Sequence, residues 1–318
     1  MHLILDWSYS FQVFTSLSLK MLLLHCSKML TQLEKVLAKK RLSQSLTVWG
    51  ALCNINKGNP FHMEIVVDSW PDFSTVICRR IKKEGEHSNS KWLNGCSLFA
   101  TDMDNLKKLL QKEDVLFWDR PFNLDGVPLP LYKVIRDAAS CRNVTCELYP
   151  GVYDTLLIDD PSILPDMPEE RIKSLSLTSL NTSHAELINS IWSFGGTDDV
   201  VVYLRELLDY FPGACILSSS GNPISWTLTN QFRAICMGYT LPQYRKMGYT
   251  THTVLAVSKA LCSSSCPPYG FVDPANHIMQ KIMEKLGFRK HSDEIVFAEF
   301  RPCGGAVSLS EGFTGAAV

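Results

Sequence analysis

The sequence predicts a two-domain α+β protein whose C-terminal domain is built around a mixed central sheet. The chain has 318 residues, which is enough for two domains of ordinary size. Residues 159–170 hold three prolines and five acids, a composition typical of an exposed connector between domains. On both sides of this connector, stretches with strand-like alternation are interspersed with stretches in which apolar residues recur at helical spacing.

The N-terminal domain is predicted at residues 21–158. Apolar side chains recur at helical spacing from residue 21, and three basic residues at 39–41 follow where a helix C-terminus favours cations. Apolar alternation over residues 46–52 predicts a strand. The other elements predicted here are strands at 62–68 and 74–78, a polar loop at 84–90, and helices at 104–112 and 131–140.

The C-terminal domain is predicted at residues 171–303. A capping box formed by Ser183 and Glu186 predicts the start of a helix that runs to residue 192. Residues 1–20 form an N-terminal extension outside both domains, and the weakly patterned tail at 304–318 is predicted to be disordered. The other predicted elements are strands at 172–177, 214–217, 224–229, 232–239, 269–272 and 294–300, and helices at 198–210, 250–261 and 275–286.

Composition narrows the classes of partner. Hydrophobic residues make up 46% of the chain, charged residues 20%, and the formal net charge is −1. These values are ordinary for a globular protein, and the lack of excess basic charge argues against a nucleic-acid partner. The uncharged run at 7–19 is shorter than the ~20 residues needed to cross a bilayer, so no membrane span is predicted. The eleven cysteines show no paired or metal-ligand spacing and are predicted to be free thiols in a reducing compartment, with no metal site.

The stretch MGYTLPQYRKMGYT at 237–250 is the strongest candidate for a ligand site. Its pattern predicts a strand end, a turn, and a loop that opens a helix. A glycine just before a helix lets backbone N–H groups turn toward a phosphate, and the helix start adds positive potential. Spacing alone leaves an ordinary strand-to-helix connection with a solvated basic pair as the alternative. In the phosphate-binding interpretation, the ligand is held by the backbone of Met247, Gly248, Tyr249 and Thr250 and by the side chains of Arg245 and Lys246.

The motif R-x-x-G-x-T at 245–250 resembles the coenzyme A pyrophosphate loop of the GNAT acyltransferase superfamily. More narrowly, MGYTLPQYRKMG resembles the matching segment of the glycine N-acyltransferase family. The resemblance extends to HAELINSIWSFGG (184–196), FPGACIL (211–217), GNPISWTL (221–228), VDPANHIMQKIMEKLGF (272–288) and, in the N-terminal half, NPFHMEIVVDSWPDFSTVICR (59–79).

This resemblance implies a GNAT acyltransferase fold for the C-terminal domain and a degenerate GNAT-like fold for the N-terminal domain. The implied reaction moves an acyl group from acyl-CoA to the amine of glycine, or of a similar small amino acid, giving an N-acylglycine and CoA. Acyl-CoA is then a co-substrate, and no prosthetic group is expected. A monomer is expected as well. The family implies a mitochondrial location, with the cytoplasm or the endoplasmic reticulum as alternatives because residues 1–20 are poor in arginine.

The resemblance also assigns roles to individual residues. Asn276 matches the position whose amide contacts the pantetheine arm, and a helix cap explains this residue equally well. Backbone N–H groups of Gly238 and Tyr239 are expected to polarise the thioester carbonyl. The family pattern places a glutamate base at the position of Ala234, and alanine cannot take a proton. His252 is a candidate substitute base, with a packing role in the helix as the alternative.

The missing glutamate leaves three hypotheses open. The first is an N-acyltransferase with weakened general-base catalysis, for which Asp273 and His291 are further candidate bases. The second is a GNAT protein that binds acyl-CoA without efficient turnover, and the third is an enzyme that acylates a protein amine. General-base help is worth about 10²–10⁴-fold, whereas positioning supplies effective molarities of about 10⁵–10⁸ M, which favours the first. On this reasoning, Ala234→Glu is predicted to accelerate glycine-dependent CoA release.

Overall fold

The computed structural model describes residues 21–40, 43–81, 89–166 and 175–304. The predictions for the N-terminal extension, for most of the loop at 84–90 and for nearly all of the tail at 304–318 lie outside these residues, as does the start of the strand predicted at 172–177. Within the described ranges, no helix combines the length and the apolar character that crossing a bilayer requires.

The smaller of two sheets lies in the N-terminal half. Its elements are β1 (Leu22–Leu24), α1 (Ser27–Lys40), α2 (Leu46–Ile55), β2 (Met63–Val67), β3 (Thr75–Arg80) and β4 (Ser97–Ala100). The four strands are antiparallel and follow chain order, each paired with the next. Apolar side chains of α1 and α2 pack on this sheet in one core cluster. The helix predicted from residue 21 starts later, at Ser27, because residues 22–24 pair with β2.

The strand predicted at 46–52 is wrong, since these residues form the helix α2. Eight of its ten residues are buried, so the helix has no polar face and its sequence lacks the spacing that marks an amphipathic helix. Gly50 explains how closely the helix packs, because a Cβ on this residue would lie 1.8 Å from the carbonyl oxygen of Phe232. This glycine therefore sets the distance between α2 and the second sheet.

The larger sheet contains nine strands and spans both halves of the chain. Its N-terminal elements are α3 (Met103–Leu110), β5 (Phe122–Pro128), α4 (Leu129–Ser140), β6 (Val144–Leu148) and β7 (Tyr153–Leu157). Its C-terminal elements are β8 (Ser176–Ser179), α5 (Ala185–Ile191), α6 (Asp198–Tyr210), β9 (Ala214–Leu217), β10 (Pro223–Thr229), β11 (Ile235–Thr240), α7 (Tyr249–Ser263), β12 (Tyr269–Val272), α8 (His277–Lys285) and β13 (Arg289–Pro302).

The strand order is β5-β13-β7-β12-β11-β10-β9-β8, and β6 pairs with β13. All neighbours are antiparallel except β11 and β12, which are parallel. The sheet is therefore mixed, as the fold-class prediction requires. The C-terminal elements from β8 to β13 follow the predicted GNAT order of strand, two helices, three strands, helix, strand, helix and strand.

The predicted connector at 159–170 does not divide the two sheets. β7 precedes it and pairs with β12 and β13, which follow it. The long strand β13 also pairs with β5 and β6. Residues 159–166 of the connector are mostly exposed, whereas the sheet contains strands from both sides of the connector.

One predicted helix start also needs correction. Asn181, and not Ser183, caps the turn before α5: its side chain accepts a hydrogen bond from Ser183 N at 3.0 Å, and His184 Nδ1 accepts one from Asn181 N at 3.1 Å. A short 3-10 turn at Thr182–His184 moves the cap two residues toward the N-terminus. Glu186 instead forms an ion pair with Arg205 on α6.

Helices cover both faces of the C-terminal strands. Leu204 and Leu208 of α6 pack with Cys215 and Trp226 on one face. On the opposite face, side chains of α7 pack with Ala214, the strand neighbour of Cys215. Next to the N-terminal end of α7, the neighbouring strands β11 and β12 pair at only one residue each.

Candidate functional site

A fork between β11 and β12 forms the centre of the candidate site. Register joins the two strands at one pair of residues, Ile235 and Gly270. Beyond that pair the register records no further partners between them, so the two strands separate. Parallel neighbours that separate leave backbone groups on their facing edges without a ladder partner.

A bulge in β11 lies at the open end of the fork. Trp226 of β10 faces Tyr239, whereas Leu228 faces Cys236, so Met237 and Gly238 together oppose one residue of β10. Met237 adopts a left-handed conformation with φ of 51°. Such a bulge changes the direction of the backbone at Gly238 and Tyr239. The polarising role of these two amides stays a prediction.

The loop between β11 and α7 has the geometry of an anion site. Gly248 has φ of 82° and stands at the N-cap of α7, and Lys246 is left-handed as well, with φ of 66°. The first N–H groups of a helix have no intrahelical acceptor and carry positive potential. Arg245 Nε donates to the carbonyl of Thr240 at 3.1 Å, which anchors an otherwise exposed side chain beside the loop. The loop thus presents backbone donors together with two cations.

Hydroxyl groups fasten the start of α7 to the sheet. Thr240 Oγ1 lies 2.7 Å from Ser225 Oγ and 2.8 Å from Thr250 Oγ1. One turn further along the helix, Thr253 Oγ1 lies 2.8 Å from Thr227 Oγ1. These contacts fix the helix N-terminus relative to β10 and β11, so the loop and the fork keep a constant spacing.

His252 and Asn276 hold the backbone around the site. The His252 side chain is buried, and its Nδ1 lies 3.0 Å from the carbonyl oxygen of Gly248. This contact favours the packing role, and the role of His252 as a substitute base stays a prediction. Asn276 Oδ1 accepts a hydrogen bond from Met279 N at 3.0 Å and caps α8. Among the described residues, none accepts a hydrogen bond from Asn276 Nδ2, so the same residue has a donor left for a ligand.

The position expected to hold the glutamate base is enclosed. Ala234 is 2% exposed and belongs to an apolar cluster with Leu46, Leu157 and Tyr269. Its N–H donates to Asn230 Oδ1 at 3.0 Å in a tight turn before β11. A carboxylate introduced here would enter an apolar environment supplied by the N-terminal half, which costs free energy unless it is paired. The packing therefore explains why alanine suits this chain.

Asp125 is a further candidate functional residue, which was not predicted from the sequence. It lies on β5, a strand that was not predicted, and its Oδ2 is buried without a hydrogen-bond partner among the described residues. Burial raises the pKa of this carboxyl from 3.8 to about 7. The acid in the apolar run FNLDGV was the available signal, because a carboxylate is unusual within a buried strand.

A cluster of aromatic side chains lies near Asp125. Trp92 stands at the centre of this aromatic cluster, with ring centroids 4.7 Å from Trp192, 5.9 Å from Phe194, 6.0 Å from Tyr203 and 6.4 Å from Tyr149. Trp92, Trp192 and Met237 also share the contacts of two core clusters, which connects the aromatic residues to the bulge. The cluster forms an apolar surface beside the fork.

The cysteines are distributed over both halves of the chain. Within the described ranges, no group of three or more His, Cys, Asp or Glu residues is placed to hold an ion. All eleven cysteines are unpaired. A side-chain hydrogen bond joins Cys53 on α2 to Cys266, which follows α7. This bond and the nearby Arg233 guanidinium lower the pKa of Cys266. These contacts lie where α2 meets the larger sheet, away from the loop that precedes α7.

Two protein-family models match most of the chain. The family model described as aralkyl acyl-CoA:amino acid N-acyltransferase matches residues 21–212, and the model of its C-terminal region matches residues 214–296. Glycine N-acyltransferase of Bos taurus is 31% identical over 279 residues, covering 84% of this chain and 94% of that protein. Glycine N-phenylacetyltransferase of Bos taurus is 30% identical over 272 residues, covering 81% and 92%.

Solved structures support the fold. A Drosophila protein solved by X-ray crystallography superposes with a TM-score of 0.69 at 15% sequence identity, covering 89% of this chain and 98% of that one. At this identity the likeness concerns the fold alone, and it includes both halves of the chain. With two family models that together match most of its length, the chain belongs to the aralkyl acyl-CoA:amino acid N-acyltransferase family.

Proposed function

We propose that this protein transfers the acyl group of an acyl-CoA to the amine of glycine, or of a similar small amino acid. The observation that carries the proposal is the fork between β11 and β12 beside the left-handed Gly248 at the start of α7. The loop supplies N–H donors and cations for the diphosphate, and the fork leaves a path for the pantetheine arm toward the bulge.

The reaction requires few protein groups. The neutral amine attacks the thioester carbonyl carbon, so a C–N bond forms and the carbonyl electron pair moves to oxygen. Backbone N–H groups at Gly238 and Tyr239 stabilise that oxyanion, and one such donor is worth about 3 kcal/mol. The tetrahedral intermediate then collapses, the C–S bond breaks, and CoA leaves as a thiolate that takes a proton. A base must accept the proton that the amine loses.

Ala234 favours a second candidate function. A GNAT protein without the family's glutamate base could hold acyl-CoA and turn it over poorly. Losing a general base costs about 10²–10⁴-fold, which is smaller than the gain from positioning two reactants. We therefore prefer the active N-acyltransferase, and a protein that binds acyl-CoA with little turnover is the alternative.

A thiol-release assay separates the two functions. The purified protein is incubated with a panel of acyl-CoAs and amino acids, free thiol is followed with time, and the product is identified by mass spectrometry. We expect amine-dependent CoA release with glycine or another small amino acid and formation of the N-acylated product. Saturable acyl-CoA binding without amine-dependent release supports the binding protein, whereas an absence of acyl-CoA binding contradicts both functions. The mitochondrial location implied by the family is proposed as well, and cell fractionation tests it.

A further inference from the structure

We propose that the Asp125 carboxylate is the general base of this site and takes the role that the family assigns to a glutamate at the position of Ala234. The inference rests on the proposed acyl transfer and names the residue that makes it efficient. It is carried by where Asp125 lies and by the absence of a hydrogen-bond partner for its buried oxygen among the described residues.

Asp125 lies at the origin of the fork. The next residue of β5 is Gly126, and a Cβ there would come within 2.8 Å of the Phe271 ring on β12. On β11, Cys236 is close enough to Asp125 for the carboxylate to contribute to the raised pKa of that thiol. Cys236 and Phe271 directly follow Ile235 and Gly270, the residues at which the two strands are joined. The acid therefore lies near the start of β11, and the next residue of its own strand lies against the start of β12.

Neighbouring residues fix the position of Asp125, but none of those that the structure describes forms a hydrogen bond with its Oδ2. Asp125 N donates to the carbonyl of Cys96 at 2.8 Å, which fixes the backbone. Space for the side chain depends on Gly95, because a Cβ there would lie 2.9 Å from Asp125 Oδ2 and 2.5 Å from Gln231 Nε2. Gln231 is held in turn, since its Oε1 accepts a hydrogen bond from Tyr203 Oη at 2.8 Å. Buried carboxylates without partners are costly, and their retention is typical of functional sites.

The groups that face Asp125 are neutral at physiological pH. They come from four parts of the fold and are Cys96 before β4, Tyr149 after β6, Tyr203 on α6 and Cys236 on β11. Burial is the first cause of the raised pKa of each of these groups, and Asp125 adds to it. The ion pair of Lys91 with Glu299 adjoins Tyr149, with Lys91 Nζ 5.4 Å from that ring. Within the part of the chain that the structure describes, burial is the cause of the raised pKa of Asp125, about 7, and no cation offsets it.

A carboxylate with this pKa suits the chemistry. At neutral pH a large fraction is ionised and can take a proton, and it is far more basic than an ordinary aspartate. In the proposed step, the amine nitrogen bonds to the carbonyl carbon while one N–H proton passes to the Asp125 carboxylate. The C–S electron pair then goes to sulfur, and the proton returns through water to the departing thiolate. Acyl-CoA and amine become amide and CoA, and Asp125 is regenerated.

Kinetics of Asp125→Asn test this assignment. We expect kcat for glycine-dependent CoA release to fall by about 10²–10⁴-fold, with the affinity for CoA unchanged. The wild-type rate should show an acidic limb with an apparent pKa of about 7, and the variant should lack that limb. Asp209→Asn is the matched control, because Asp209 is an exposed acid on α6 and its replacement should leave rate and pH profile unchanged.

The possible outcomes distinguish a wrong assignment of the base from a wrong assignment of the function. Wild-type activity that survives in Asp125→Asn with the same acidic limb overturns the assignment of the base and leaves the proposed function standing. A wild-type protein without any amine-dependent CoA release overturns the proposed function and the base with it. Binding of CoA by Asp125→Asn, together with its circular dichroism spectrum, shows whether the variant is folded; an unfolded Asp125→Asn is replaced by Asp125→Glu, which should shift the limb and retain part of the rate.

Discussion

Replacing Asp125 by asparagine should stabilise the protein increasingly as the pH rises from about 5 to about 7. Asparagine has nearly the same shape and carries no charge, so the variant removes the cost of ionising a buried group. The wild-type carboxyl has its pKa raised from 3.8 to about 7 by burial. Between these values the folded state binds a proton that the unfolded state has lost, so the stability of the wild-type protein falls as the pH rises.

The magnitude follows from the same two values. Each pH unit between them is worth about 1.36 kcal/mol, so the full effect is about 4 kcal/mol and is complete above pH 7. This figure is an upper limit, since Asp125 as a residue is partly exposed even though its Oδ2 is buried. From about pH 5 upward, the difference in unfolding free energy between Asp125→Asn and wild type should grow by about 2–3 kcal/mol.

Urea denaturation at several pH values, followed by circular dichroism, measures this difference. Asp209→Asn serves as the control, because it makes the same chemical change at an exposed position on α6. A constant difference for Asp125→Asn across the same range would refute the reasoning, since it would mean that the acid is ionised in the folded protein at every pH tested. The same result would remove the physical basis for a base with a pKa near neutrality.

Three further substitutions test other parts of the structure. Gly248→Asp should abolish CoA binding in calorimetry, because it blocks the helix start and adds a negative charge; Gly221→Asp, at an exposed turn with the same φ of 82°, should bind normally. Gly50→Ala should lower the urea midpoint, against the usual helix preference, because its Cβ would lie 1.8 Å from the Phe232 carbonyl oxygen; an unchanged midpoint would contradict the close packing of α2. Ala234→Glu, which the sequence alone predicts to accelerate CoA release, should instead reduce the thermal midpoint and give no gain in rate because of the apolar cluster around position 234; faster turnover at unchanged stability would favour the sequence-based prediction.

Local signals predicted the loop well and the packing around it less well. The glycine before α7 and the apolar spacing of that helix are encoded within about fifteen residues, and the structure confirms the helix at Tyr249–Ser263. The helix α2 was misread because its burial on nearly all sides removes the polar face on which such a prediction depends. The role of Asp125 depends on its nearness to Cys236 and on the packing of its neighbour Gly126 against Phe271, both more than one hundred residues away, and no local pattern reports proximity of that kind.

The proposed base on β5 and the alanine before β11 are connected through one aromatic ring. Phe271 packs against the apolar cluster that encloses Ala234, and the same ring lies against Gly126, the neighbour of Asp125. A glutamate at position 234 would enter that apolar cluster, whereas the acid on β5 lies near Cys236 at the start of the fork. On the proposed assignment, Asp125 supplies the base that alanine cannot supply, so Ala234 alone does not indicate a weakened enzyme.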